Sequence, residues 1–196
     1  MRQKETALNA ALKTADTRAV CLALDELVRG SSNVSILAKD AEIDRSVLYR
    51  SFRGEKGPRL FLVMKVLRSL SFQFVVEFER QPKRIGPNRF GQGSKTTPHL
   101  ELRDSARASA KFLTRAFESF DITEIGKALE TVLRAQENVV EFAKRASLQR
   151  SSLYRSFSQR RDPQLSTVVN FLSALGLRLA VIPVSSELMY DQFRLE

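Results

Sequence analysis

The sequence of 196 residues contains a single cysteine, Cys21, a single histidine, His99, and no tryptophan. One cysteine cannot close an intramolecular disulfide, and together with one histidine it cannot supply a zinc site of the usual kind. No apolar run approaches the roughly 20 residues that a membrane-spanning helix needs, and the N-terminus lacks the apolar stretch of a secretion signal. We therefore expect a soluble, cytoplasmic protein with no metal and no cofactor.

Groups for catalysis are also scarce. His99 lies in a segment rich in proline and glycine, so it has no credible partner for acid–base or nucleophilic chemistry. The nearby "GQGSK" lacks the strand and helix that flank a phosphate-binding loop. Cys21 falls on the apolar face of a predicted helix, where we expect it in the core. These observations predict that the protein is not an enzyme.

Positive charge, in contrast, is in excess. The chain has 32 Lys and Arg against 22 Asp and Glu, a formal net charge of +10. Such an excess favours a polyanionic partner, either nucleic acid or an anionic membrane, although a merely solvated basic surface would have the same composition.

One unit is written twice in the chain. Thr17–Phe78 aligns without a gap on Ile122–Pro183 at a shift of 122 − 17 = 105 residues. The alignment includes "RSVLYRSF" from Arg45 and "RSSLYRSF" from Arg150, and it indicates an internal duplication. We predict a first domain at 1–78, a flexible basic linker at 79–100, a second domain at 101–183 and a tail at 184–196.

Each copy has the pattern of four helices followed by a short strand, with a further helix before it. Asn33 and Asn138 are good N-caps for the second helix, and Pro58 and Pro163 suit the first position of the fourth. The strands "FQFVVEF" and "LRLAVIP" could pair across a pseudo-twofold axis. The expected fold is therefore mainly α, with the two units paired as an intramolecular pseudo-dimer.

The second and third helices, "NVSILAKDAEIDRSVLYRSF" and "NVVEFAKRASLQRSSLYRSF", resemble the helix-turn-helix of the lambda-repressor/Cro-like (Xre) superfamily. The resemblance implies a second helix that lies in the major groove of DNA. It rests on buried or small residues at matching positions in the two copies: Leu37, Ala38, Ala41, Ile43 and Leu48, with Phe142, Ala143, Ala146, Leu148 and Leu153.

Around the second copy, "SLYRSF" and "LSALGLRLAVIP" resemble the antidote (antitoxin) proteins of addiction modules, often described as prophage-type DNA-binding proteins. That family usually has one such domain per chain and dimerises, and its partners are small ribosome-dependent RNases. Glu42 and Ser147 occupy a turn position that is often glycine, at a cost of about 1 kcal/mol if φ is positive. The Leu175–Gly176 that ends the fourth helix is Leu70–Ser71 in the first copy.

The third helix of each copy is the predicted recognition helix. Burial of its leucine would turn arginine, serine and tyrosine side chains outward, where they can read bases. These base-reading candidates are Arg45, Ser46, Tyr49, Arg50, Gln149, Arg150, Ser151, Tyr154 and Arg155. The residues expected to contact phosphates are Asn33, Arg53, Lys56, Arg59, Asn138, Arg160 and Arg161.

The same arginines have different neighbours in the two copies. Asp40, Glu42 and Asp44 surround the first recognition helix, where the second has Arg145, Ser147 and Gln149. We expect weaker non-specific DNA binding by the first copy and a changed sequence preference.

Three functions are consistent with these features. The leading hypothesis is a sequence-specific, nucleoid-associated transcriptional regulator that binds a bipartite operator in double-stranded DNA, with two recognition helices in one chain. The second is an antitoxin-like protein that neutralises a small RNase toxin and regulates its own expression. The third is an anti-activator or adaptor that binds another regulator and no longer binds DNA.

Overall fold

In the computed structural model, residues 2–31, 33–53, 57–78, 102, 105–158 and 161–184 are described. Within these ranges the chain forms five helices and a strand, twice over. The predicted mainly helical fold of two tandem units, each ending in a strand, is confirmed. None of the helices in these ranges is long and apolar enough to cross a membrane. Outside the described residues lie the predicted linker with His99, the tail after Val184, and the phosphate candidates Lys56 and Arg160.

The first half comprises α1 (Arg2–Thr14), α2 (Thr17–Arg29), α3 (Val34–Asp40), α4 (Arg45–Arg53), α5 (Leu60–Ser69) and β1 (Phe72–Phe78). The second half comprises α6 (Ala106–Glu118), α7 (Ile122–Arg134), α8 (Val139–Arg145), α9 (Arg150–Phe157), α10 (Leu165–Ala174) and β2 (Leu177–Pro183). The 105-residue register extends beyond the sequence alignment into α1 and α6, because Leu8 and its equivalent Leu113 are both buried.

Helix starts are specified locally by short polar side chains. Asp16 and Asp121 accept hydrogen bonds from the backbone N–H groups of Arg18 (2.8 Å) and Thr123 (2.7 Å). Asn33 caps α3 and Asn138 caps α8, as the sequence predicts. Each cap satisfies an amide at a helix start that has no partner within the helix.

The two strands form an antiparallel two-stranded sheet that joins the halves. Val75 lies opposite its own equivalent, Ala180, and the pairing runs symmetrically outward to Phe72 opposite Pro183 and Phe78 opposite Leu177. A register centred on equivalent residues is what a twofold axis between the two copies requires. The predicted pairing of the strands across a pseudo-twofold is therefore confirmed.

The first helix of each half packs on the strand of the other half: α1 on β2, and α6 on β1. Asn9 of α1 donates to the carbonyl of Val181 (2.8 Å) and accepts from its N–H (2.7 Å). Thr114, the residue equivalent to Asn9, makes the corresponding pair of bonds with Val76 (2.9 and 3.2 Å). Each half thereby completes the backbone hydrogen bonding of the other.

The prediction that Pro58 and Pro163 begin the fourth helices is wrong, because a second symmetric pair of contacts joins the halves at this point. Those helices begin at Leu60 and Leu165, and the residues before them are extended. The reason is a contact between halves: the Leu60 N–H donates to the Pro163 carbonyl (2.9 Å), and the Leu165 N–H donates to the Pro58 carbonyl (3.0 Å). Each proline thus lies outside its own helix and accepts from the first helical N–H of the other.

An apolar cluster runs through the described parts of both halves and includes the inward faces of β1 and β2. Phe74 of β1 packs edge-on against Phe117 of α6, with ring centroids 6.0 Å apart. Cys21 is 6% exposed, so its expected place in the core is confirmed. Burial raises the pKa of this thiol, as an apolar environment disfavours the thiolate.

Candidate nucleic-acid interface

α3 and α4, and likewise α8 and α9, are joined by a tight turn with the same backbone in both halves. The Ile43 N–H donates to the Ala38 carbonyl and the Leu148 N–H to the Ala143 carbonyl, both at 2.9 Å. The intervening residue, glycine in many such turns, adopts positive φ: 52° at Glu42 and 53° at Ser147. The turn therefore keeps its geometry despite the backbone strain of a side chain there.

Packing under this turn sets the rotation of α4 and α9. The predicted core positions Leu37, Ala38, Ala41 and Leu48 are all buried, and so are their equivalents in the second half. Ile43 and Leu148 are partly buried against the same core. With these side chains directed inward, the opposite face of each helix is left to solvent.

That exposed face carries the predicted base-reading residues of each half. Arg45, Ser46 and Arg50 of α4 are exposed, and Tyr49 is half-buried. Arg150, Ser151 and Arg155 of α9 are likewise exposed, Tyr154 is half-buried, and Gln149 is exposed directly before the helix. All nine candidates thus lie in the described part of the chain, four in the first half and five on the equivalent surface of the second half.

The tyrosine in each half organises two arginines. The guanidinium carbons of Arg29 and Arg45 lie 5.5 and 5.7 Å from the centroid of the Tyr49 ring. In the second half Arg134 and Arg150 both lie 5.8 Å from the Tyr154 ring. Contacts of this kind restrict the guanidinium groups without neutralising them.

Arg29 and Arg134 are members of this surface that the sequence reasoning did not select. A hydrogen bond from Arg29 to Asp25 (2.7 Å) raises the pKa of that guanidinium, and the bond from Arg134 to Glu130 (2.6 Å) acts in the same way. A signal for them was present, since both halves carry an arginine at this position with an acidic residue four positions earlier.

The phosphate candidates have differing positions. Arg53 is exposed at the end of α4, and Arg161 is exposed beyond the end of α9. Asn33 and Asn138 are exposed at helix starts, where their side-chain oxygens are used in capping. Arg59 lies between the halves instead. Its backbone forms an isolated antiparallel β-bridge with Gln164, and its guanidinium donates a hydrogen bond to the backbone carbonyl of Asp162.

The electrostatic environment of the two faces is unequal. The segment 34–53 contains four basic and three acidic residues, whereas the equivalent segment 139–158 contains four basic and one acidic residue. Asp40, Glu42 and Asp44 are all exposed. Glu42 also forms an ion pair with Lys65 at 3.2 Å, so the lysine lies beside the turn between α3 and α4. The second face is therefore the more electropositive.

The fold and this duplicated face define a tandem helical protein in which two equivalent basic surfaces are related by a pseudo-twofold. The model of a family described as "Probable addiction module antidote protein" matches residues 4–78 and again residues 97–183. The chain belongs to this family and contains its unit twice.

The chain is also similar to an uncharacterized protein of Haemophilus influenzae (strain ATCC 51907 / DSM 11121 / KW20 / Rd). The two sequences are 36% identical over 73 residues, which is 37% of this chain and 74% of the relative. The matched region is thus about the size of one of the two units of this chain, and it covers most of the relative. No solved structure matches the chain.

Proposed function

We propose that this protein is a transcriptional regulator that binds double-stranded DNA sequence-specifically, with α4 and α9 as its two recognition helices. The observation that carries the proposal is the pair of equivalent exposed faces, Arg45 with Arg50 and Arg150 with Arg155, on two halves related by a pseudo-twofold. No catalytic role is part of the proposal, in keeping with a family of antidote proteins.

A twofold arrangement suits duplex DNA because the duplex has local twofold axes of its own. Two helices related in this way meet half-sites of opposite orientation, spaced by about one helical turn, ~34 Å. Dimeric proteins achieve this with two chains, whereas here the sheet of β1 and β2 and the exchanged helices α1 and α6 would hold both helices within one chain.

The side chains on these faces have suitable chemistry. Arginine can donate two hydrogen bonds to guanine O6 and N7, and serine or glutamine can contact other base edges. Tyr49 and Tyr154, each in cation–π contact with two arginines, would brace those guanidinium groups toward the groove. Arg53 and Arg161 would contact phosphates, as would Asn33 and Asn138 through amide hydrogens that capping leaves unused.

The test begins with in-vitro selection from random duplexes by the full chain, followed by titration of the selected site. R50A/R155A is expected to lose at least about 30-fold in affinity, since each bidentate contact contributes about 1–3 kcal/mol. R107A/R115A, which removes two exposed arginines from α6, is the control of equal charge. Equal losses in both double variants would overturn the proposal, because binding would then depend on charge alone. Binding unaffected by R50A/R155A would also overturn it and would favour the adaptor function.

A second candidate is the neutralisation of a toxin, which the family's description as antidote proteins favours. In that case the chain would form a stable complex with a small RNase encoded next to it. Co-expression should relieve the toxicity of that RNase, and the two proteins should co-purify at fixed stoichiometry. R50A/R155A separates the two activities, because it is expected to abolish operator binding and to leave neutralisation intact.

A further inference from the structure

The residue directly before the recognition helix differs between the two halves. Asp44 precedes α4 and Gln149 precedes α9, and both are exposed. Their backbones match: the Asp44 carbonyl accepts from the Leu48 N–H at 3.0 Å, and the Gln149 carbonyl accepts from the Leu153 N–H at 3.1 Å. The two side chains therefore leave equivalent points of the two halves.

The predicted base-reading residues within the two helices are shared. Arginine, serine, tyrosine and arginine occupy the same four positions of α4 and α9. Because these positions are equivalent under the pseudo-twofold, identical side chains on them select identical bases in the two half-sites. At the starts of the two helices, Asp44 and Gln149 are the exposed pair that differs, whereas Val47 and Ser152 are half-buried, so the first pair is the one placed to make the half-sites unlike.

Asp44 and Gln149 differ in the hydrogen bonds that they can make. An ionised aspartate only accepts, so the base edge that it suits in the major groove is the N4 amino group of cytosine. A glutamine amide both donates and accepts, and it matches the N6 and N7 atoms of adenine. Opposite adenine, an aspartate could accept from N6 but would be repelled by the neighbouring N7 acceptor.

We propose that the operator is an inverted repeat whose half-sites differ at one position, with cytosine contacted by Asp44 and adenine contacted by Gln149. This specificity rests on the proposed DNA-binding function and adds to it the residues that distinguish the two half-sites. Asp44 and Gln149 are specificity-determining residues, and the shared arginines define the common core of both half-sites.

The charges around the two turns predict that the two halves bind their half-sites with different affinities. Asp40 and Asp44 repel phosphates near the first face, where Glu42 is already paired with Lys65, while Arg145 attracts them near the second. The second half therefore engages its half-site more tightly, and its half-site tolerates fewer changes. In titrations, a duplex with only the adenine-type half-site is expected to bind more tightly than one with only the cytosine-type half-site.

The experiment is in-vitro selection with the full chain and three variants: D44Q, Q149D and E124Q. Wild type is expected to select unlike half-sites, D44Q two adenine-type half-sites and Q149D two cytosine-type half-sites. The wrong half-site should weaken binding about 5- to 150-fold. E124Q, at an exposed glutamate in the first turn of α7, removes the same charge as D44Q and should select the wild-type sequence.

The possible outcomes distinguish a failure of this half-site assignment from a failure of the proposed DNA-binding function. A wild-type motif with identical half-sites, or a D44Q motif unchanged from wild type, would overturn the assignment of Asp44 and Gln149 while DNA binding stands. No enriched sequence with any of the four proteins would overturn the DNA-binding function itself.

Discussion

Asn9 and Val181, 172 positions apart in the chain, are joined by two hydrogen bonds between the side-chain amide of one and the backbone of the other. Together with the equivalent bonds of Thr114 and Val76, this pair ties each half to the other's strand. Two copies joined only end to end would not need such contacts. The halves are instead interlocked.

Removal of the Asn9 side chain is expected to weaken this interlock. N9A leaves the N–H and the carbonyl of Val181 without that partner, at a cost of about 1–3 kcal/mol in the free energy of unfolding. N9T is the matched control, because threonine makes both bonds at position 114. Urea denaturation should rank the stabilities as wild type, then N9T, then N9A; an N9A protein as stable as wild type would contradict the role of these bonds.

Positions 71 and 176 offer a test of backbone strain. Both have positive φ, 61° at Ser71 and 69° at Gly176, although only the second is glycine. A Cβ at Gly176 would meet no atom within 4 Å, so G176S carries only the backbone penalty of about 1 kcal/mol. S71G should change stability in the opposite direction by a similar or smaller amount. Thermal denaturation of both variants checks this, and a destabilised S71G would show that the Ser71 side chain has another role.

The Glu77–Arg178 ion pair breaks the symmetry of the sheet. Arg178 Nε lies 2.9 Å from Glu77 Oε2, whereas the dyad-related positions hold Gln73 opposite Ile182. Both side chains are partly exposed, so a double-mutant cycle with E77Q and R178Q should measure a coupling of about 0.2–1 kcal/mol. The coupling should decrease as salt is added. A coupling of zero at low salt would mean that strand register is specified by apolar contacts alone.

Asp162 predicts a pH dependence of stability. Its carboxylate accepts from the Phe61 N–H at 3.0 Å, at the start of α5. Burial raises the pKa of Asp162, against the opposing effects of that hydrogen bond and of Arg59. The folded state therefore holds this proton more tightly than the unfolded state. The resulting stabilisation is fully present below the ordinary pKa of 3.8 and is lost as the pH rises through the higher value of the folded state.

D162N keeps an oxygen that can accept from Phe61 and removes the charge. We expect it to be at least as stable as wild type at neutral pH and to show a weaker decline in stability as the pH rises above about 4. Urea unfolding at a series of pH values gives both quantities. A variant whose stability follows the wild-type pH profile would show that Asp162 does not contribute this dependence.

Most of the secondary structure was predictable because its causes are local. Caps such as Asn33 and Asn138, apolar spacing along α2 and α7, and β-rich stretches after α5 and α10 all act within a few residues. The duplication made the predictions stronger, since each signal occurs twice. The start of the fourth helices was mispredicted because it depends on carbonyls of Pro58 and Pro163 that accept from helices about 105 residues away.

The candidate interface was predictable to a similar extent. Repetition of Arg45, Ser46, Tyr49 and Arg50 in the second copy selected one helix face, and the buried leucines determined which way it points. Arg29 and Arg134 lie on a different helix from that face, so only packing brings them to the tyrosines. Arg59 was expected to continue the face, yet the bridge to Gln164 places it between the halves.

The sequence alone determined that there are two equivalent units, where their helices lie apart from the start of the fourth helix in each, and which faces of the helices are apolar, because hydrophobic periodicity and capping act over short distances. Only the tertiary structure decided how the units combine: the sheet centred on Val75 and Ala180, and the exchange of α1 and α6. These arrangements arise from backbone groups that find partners across more than a hundred residues, and no local pattern specifies such pairings.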